Sequence, residues 1–273
     1  MSSDVTGPVF DFHARLAPAP GALERLLDVH DRCGITAAAV SAGGCIDLSR
    51  LSRQLVHGGH VTTDPDNDAV LRACDSSADR LLPFYFANPH RDPAYYRQRA
   101  AEFVGMEISP AVHGVPLDDP RTTALTAVAE TAGHPVYVVC LARPGCGVVD
   151  LVALAGRFPA LTFVLGHSGI GNIDYYAVDL VAPMANIRLE TSGGYTSVVR
   201  AAVDRLGPDR VLFGSEYPLQ HPDAELAKFR TLDLPTADWR LIAWDNANRL
   251  LKGDGDDPDH HAPPDARGLV DAR

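Results

Sequence analysis

The side chains best able to do chemistry in this chain stand at the ends of apolar runs. Asp11, His13 and Arg15 end the first run in FDFHARL, Glu107 and Ser109 lie in GMEIS, and Cys140 closes PVYVVC. His167 ends FVLGH, Glu190 leads Thr191 and Ser192 in RLETS, and Glu216 precedes Tyr217 in FGSEYP. Imidazoles titrate near neutrality and suit proton transfer. A guanidinium is a permanent cation with a planar fork of donors, suited to holding a carboxylate or an oxyanion. Any one of these groups at a strand end would ordinarily be a satisfied structural residue. The set as a whole is the signal.

Periodicity shows which elements would position them. Short apolar runs at Val9–Phe12, Thr36–Val40, Leu82–Phe86, Val104–Ile108, Val136–Cys140, Thr162–Leu165, Ile187–Leu189 and Val211–Phe213 predict eight strands. Several are continuously apolar, as strands buried on both faces require. Amphipathic segments at Gly21–Cys33, Asp64–Ala78, Ala94–Phe103, Thr122–Ala132, Gly147–Phe158, Tyr195–Leu206, Asp223–Phe229 and Ala237–Leu251 separate or follow them. Eight strands interleaved with helices predict an α/β fold, a single (β/α)8 TIM-type barrel over residues 1–252. A doubly wound open sheet has the same periodicity. In the barrel, all the groups named above converge on one cup at the carboxyl ends of the strands. The long loop Ser41–His60, with its Gly pairs, reads as a lid over that cup, and its His57 and His60 read as loop residues. Residues 253–273, rich in Asp, Pro and Gly, read as a disordered acidic tail whose His260–His261 pair is not preorganised for a metal.

Bulk properties exclude some functions. A net charge of −11 argues against nucleic-acid and anionic-membrane partners, since phosphate contacts need clustered Lys and Arg. No run approaches membrane-spanning length, and the first residues lack a basic-then-apolar export pattern. Five scattered cysteines then read as reduced thiols in a cytoplasmic protein.

The runs FDFHARL, FPALTFVLGHSG, NIRLETSGG, DRVLFGSEYP and NANRLL, in that order, resemble the amidohydrolase superfamily in its amidohydrolase-related branch. That branch includes metal-dependent decarboxylases of aromatic and muconate-type acids, and lactone hydrolases. The resemblance implies the same barrel and makes a homodimer a fair expectation. It also implies a metal-ligand set that is altered here. Of Asp-x-His-x-His on the first strand, His13 remains and Arg15 replaces the second histidine. Cys140 stands where a histidine ends strand five, and Glu216 where an aspartate follows Gly-Ser. Glu107 and Ser109 replace a lysine and a histidine on strand four, while His167 is retained.

Two site chemistries follow. A fixed guanidinium repels a divalent ion, so a Glu107–Arg15–Glu216 cluster predicts a cup with no metal or other cofactor. His13, His167 and Glu216 then do the acid/base work, and Arg15, Glu107, Cys140, Tyr175 and Tyr195 contact the substrate. Alternatively His13, Cys140 and Glu216 hold zinc, which accepts nitrogen, thiolate and carboxylate ligands. The expected activity is hydrolysis, decarboxylation or a cyclisation/elimination on a small carboxylated or carbonyl molecule, with specialised metabolism a natural setting. A metal-dependent hydrolase or decarboxylase and a non-catalytic binding barrel are the other readings.

Overall fold

The computed structural model describes residues 7–171 and 173–253, so the expected tail lies outside the described residues. Eight strands form one parallel sheet in sequential order: β1 (Val9–Leu16), β2 (Ile35–Ala42), β3 (Leu81–Phe86), β4 (Gly105–Ile108), β5 (Val136–Val138), β6 (Phe163–Leu165), β7 (Ile187–Glu190) and β8 (Val211–Leu212). The chain beyond β8 returns to β1. Phe12 N–H donates to Phe213 O (2.9 Å), Arg15 N–H to Tyr217 O (2.7 Å), and Glu216 N–H to His13 O (2.8 Å). This is the (β/α)8 barrel.

Alternation of side chains divides the apolar residues into an inner filling and an outer layer. Phe10, Phe12, Ala37, Ala39, Phe84, Tyr137, Val164 and Leu212 fill the inside. The other face of each strand meets the helices, where Met106, Ile108, Val136, Val138, Leu165 and Leu189 pack with Leu151, Val178 and Val199.

The segment 41–60 is not a plain loop. It contains the helix Leu48–His57, started by Asp47, whose carboxylate accepts from Arg50 N–H (3.1 Å). Gln54, buried on this otherwise exposed helix, donates to Ala111 O (2.5 Å) and Val112 O (2.9 Å) in the short helix Pro110–His113. Two more helices not evident from periodicity are this one after β4 and Tyr175–Val181 after β6. No helix among the described residues is long and apolar enough to cross a membrane.

Candidate active site in the barrel cup

An irregularity in β1 sets the site. The pairing register with β2 shifts between Asp11 and Ala14. Such a bulge reverses which side chains face inward. Phe10 and Phe12 therefore point into the barrel, and beyond the shift His13 and Arg15 do so as well. Asp11 faces outward, a correction to its expected place in the cup. Its carboxylate accepts from Ser215 N–H (2.8 Å), contacts the Ser215 hydroxyl and lies 3.5 Å from His30 Nε2, bracing the chain after β8.

The cup holds five of the expected residues together. Arg15 Nε donates to Glu216 Oε1 (2.8 Å), and Arg15 Nη2 and Nη1 donate to the two oxygens of Glu107 (2.7 and 3.3 Å). His13 Nε2 lies 3.3 Å from Glu107 Oε2, its Nδ1 touches Glu216 Oε2, and His167 Nε2 lies 3.7 Å from that same oxygen. Burial by itself would depress the His13 imidazole, but Glu216 and Glu107 outweigh it and hold it up at about 10. Burial would likewise raise Glu107, yet Arg15 and His13 bring it down to about 2; the same neighbours hold Glu216 well below the usual carboxylate range. Three of the five guanidinium N–H donors of Arg15 are thus taken by protein carboxylates. A substrate carboxylate would meet Glu107 and Glu216 there rather than an open cation.

Two residues sit on uncommon backbone. His167 and Glu216 both have φ of 58°, in the left-handed region that non-glycine residues seldom enter. These turns bring both side chains back over the barrel axis at the ends of β6 and β8.

Glu190 at the end of β7 completes the floor. Its Oε2 accepts from the Tyr137 hydroxyl (2.7 Å), Ser192 Oγ (2.9 Å) and His167 N–H (3.1 Å), and its Oε1 from Ser192 N–H (2.6 Å). Ser192 Oγ also meets His167 Nδ1 at 2.8 Å, fixing that ring. Tyr137 stacks on His13 with centroids 4.0 Å apart. The packing leaves no spare room: a Cβ on Gly214 would fall 2.2 Å from Glu190 Oε1, and one on Gly166 would fall 2.5 Å from Tyr137 Cζ. Tyr137 was hidden in the sequence inside an apolar run, although period-two alternation marks it as inward-facing. Glu190 was visible at its strand end without an assigned role.

Three expected contacts lie elsewhere. Cys140 packs among outer-layer residues such as Val148 and Leu151, and burial pushes its thiol far up, with Cys146, Asp150 and Asp174 as ionisable neighbours. The physical reason is parity: with Tyr137 inward, Cys140 falls outward. The His13/Cys140/Glu216 zinc set is therefore not assembled. Tyr175 is half-buried against the helical layer, beneath the Arg205 guanidinium at 5.5 Å. Tyr195 precedes the helix Thr196–Leu206 and is mostly exposed.

A different donor group is assembled. Ligand atoms of His13, His167 and Glu190 lie within 4.8 Å of one another. His13 Nδ1 and Glu216 Oε2, both buried, touch without regular hydrogen-bond geometry to any partner. Two imidazoles and a carboxylate are donors that borderline divalent cations accept. Once His13 gives up its proton to bind an ion, Glu107, Glu190 and Glu216 outnumber Arg15 by two negative charges, which a divalent cation balances. The residues present fit such an ion.

Comparisons with known proteins return decarboxylases of aromatic acids. A gamma-resorcylate decarboxylase of Polaromonas sp. strain JS666 is 29% identical over 143 residues, 45% of this chain and 40% of that protein. The match thus spans well under half the length of that relative. Solved structures share the fold more completely. The 5-carboxyvanillate decarboxylase of Novosphingobium aromaticivorans, solved with manganese and 4-hydroxy-3-methoxy-5-nitrobenzoic acid, superposes with a TM-score of 0.69 at 16% identity, covering 91% of this chain and 97% of that one. The dihydroxybenzoic acid decarboxylase of Polaromonas sp. JS666, solved with manganese and 2-nitroresorcinol, gives 0.65 at 19% identity, covering 90% of this chain and 97% of that one. These manganese-bound relatives overturn the expectation that the cup needs no metal or other cofactor. The error lay in counting the Glu107–Arg15–Glu216 cluster as neutral, when two carboxylates face one guanidinium and Glu190 adds a third. Residues 11–253 match the family profile described as Amidohydrolase, and the chain belongs to that family.

Proposed function

We propose that this chain is a carbon–carbon lyase that removes the carboxyl group of a small aromatic acid in the barrel cup, with a divalent cation. The observation that carries this reading is the convergence of His13, His167 and Glu190 beside Glu216 Oε2. The decarboxylase relatives support the reaction class, and manganese in two of them supports the ion.

His13, His167 and Glu190 would hold the cation, which supplies a Lewis acid for the oxygens of the substrate. Decarboxylation leaves the electrons of the broken bond on the ring carbon, which takes a proton while carbon dioxide departs. Glu216 rests ionised, and a proton that it takes up from the incoming substrate or solvent is the one it is placed to deliver. Arg15 makes its carboxylate a weak base, hence a strong acid once protonated, as transfer to a poorly basic ring carbon requires. Tyr137 and Ser192 orient the donors by hydrogen bonds to Glu190, and Ser192 also fixes His167. The lid helix Leu48–His57 closes one side of the cup. The chain leaves β2 for it beside Arg15, where a Cβ on Gly43 would lie 3.4 Å from Arg15 Cβ. Ile170, exposed on the loop after β6, gives the rim apolar surface for an aromatic ring.

The test is carbon dioxide release from a panel of ortho-hydroxylated benzoic acids, using protein loaded with manganese or zinc. Release should depend on the metal and be lost in His167→Ala and Glu190→Gln. A folded, metal-loaded protein that releases none from any member of the panel would return the choice to a hydrolase or a non-catalytic barrel.

A further inference from the structure

A second cluster of metal-ligating side chains lies on the surface. Cys33 ends the helix Ala22–Cys33, while His221 and Asp223 stand at the start of the helix Pro222–Leu232. One ligand atom from each of the three lies within 4.8 Å of the others. The two helices pack together, and Leu26, Leu226 and Phe229 bury their inner faces, so the ligands sit on fixed helix ends. A carboxylate oxygen of Asp223 lies within 4.8 Å of the Cys33 sulfur. Asp223 N–H donates to His221 Nδ1 (3.2 Å), a helix-capping bond that an ion would displace on taking that lone pair. Arg230 Nη2, 3.5 Å from Asp223 Oδ1, is a solvent-exposed competitor and holds the carboxylate only weakly.

We infer that Cys33, His221 and Asp223 form a binding site for a zinc-class divalent cation, separate from the barrel cup. Cys33 is half-buried, and His221 and Asp223 are exposed, so a fourth position stays open to water. Binding is ligand exchange without redox change: the thiol proton leaves to solvent and the sulfur donates its lone pair. A thiolate selects zinc, cadmium or cobalt over manganese and magnesium, so this site and the cup differ in metal preference. The ion joins the end of one helix to the start of the next. That second helix carries Lys228, which donates to Thr191 O (3.0 Å) and Gly194 O (2.7 Å) in the loop after Glu190.

Titration of the full reduced chain with cadmium, followed by ultraviolet thiolate-to-metal charge-transfer absorption, tests the site. The wild type and His167→Ala should give the band, and Cys33→Ser should lose it. His221→Ala should weaken binding by about tenfold or more, since even outer-shell partners of a metal are worth that much. Alkylation mapped by mass spectrometry gives a readout that needs no variant: zinc should slow modification of Cys33 and leave Cys45 unchanged. No band, a band that survives in Cys33→Ser, or zinc-independent alkylation of Cys33 would each overturn the inference.

Discussion

Replacing Arg15 with methionine tests the electrostatic design of the cup. The variant keeps the bulk of the aliphatic stem and removes the cation between Glu107 and Glu216. Burial would raise Glu107 above its ordinary 4.5, but the guanidinium, aided by His13, brings it to about 2. The gap of about 2.5 pKa units corresponds to ~3 kcal/mol. Because the folded-state value is depressed, this stabilisation is complete above the unfolded value and is lost as pH falls through the folded one. Urea unfolding at neutral pH should therefore show Arg15→Met less stable by ~3 kcal/mol. That corresponds to a fall in Tm of about 6–12 °C for a domain of this size. Near pH 4 the deficit should shrink, because Glu107 without its partner takes up a proton. Manganese should raise the Tm of the variant more than that of the wild type, since a divalent charge offsets the one removed. A variant within ~0.5 kcal/mol of wild type at neutral pH, the ordinary range for inconsequential substitutions, would refute the reasoning. So would an equal deficit at both pH values.

Other outcomes follow from single contacts. Gly214→Ala places a methyl carbon 2.2 Å from Glu190 Oε1 and should displace that carboxylate, so manganese affinity measured by calorimetry should fall while the far-ultraviolet circular dichroism is retained. His113 is buried and burial depresses it to about 4, so the unfolded chain binds the extra proton and stability should fall between about pH 6.5 and 4, by up to ~3 kcal/mol. His113→Phe should flatten that slope in urea unfolding at the two ends of the window. Gln54→Leu removes both hydrogen bonds from the helix Leu48–His57; Val112 O keeps Val61 N–H (3.0 Å), but the buried Ala111 carbonyl loses its Gln54 donor, at a cost of ~1–3 kcal/mol. Hydrogen exchange should speed up within residues 48–57 while the barrel strands keep their protection.

All eight strands were legible because each is a short apolar run bounded by polar residues, and sequential β/α alternation allowed the barrel. The cup was legible where a charged or imidazole side chain directly followed such a run, as with Glu107, His167 and Glu216. It failed where parity mattered. Asp11 and His13 read as neighbours on one face until the register shift in β1 separated them, and a bulge leaves no local mark in FDFHARL. Cys140 was misplaced for the opposite reason: β5 keeps strict alternation, and the inward tyrosine at 137 already sends 140 outward. The helix Leu48–His57 was missed because its flanking glycines read as loop and most of it is exposed, with Gln54 its one buried side chain. The left-handed turns at His167 and Glu216 are properties of the assembled barrel and have no signature in residue type.

The turn at position 216 bears on how this pocket can change. A backbone with φ of 58° is one that aspartate and asparagine enter more readily than glutamate. Shortening the acid there thus relieves conformational strain even as it withdraws the carboxylate from the guanidinium. Reach, rather than chain geometry, is what couples residue 216 to residue 15, and the two are expected to exchange as a pair: a longer acid beside arginine, a shorter one beside a neutral partner.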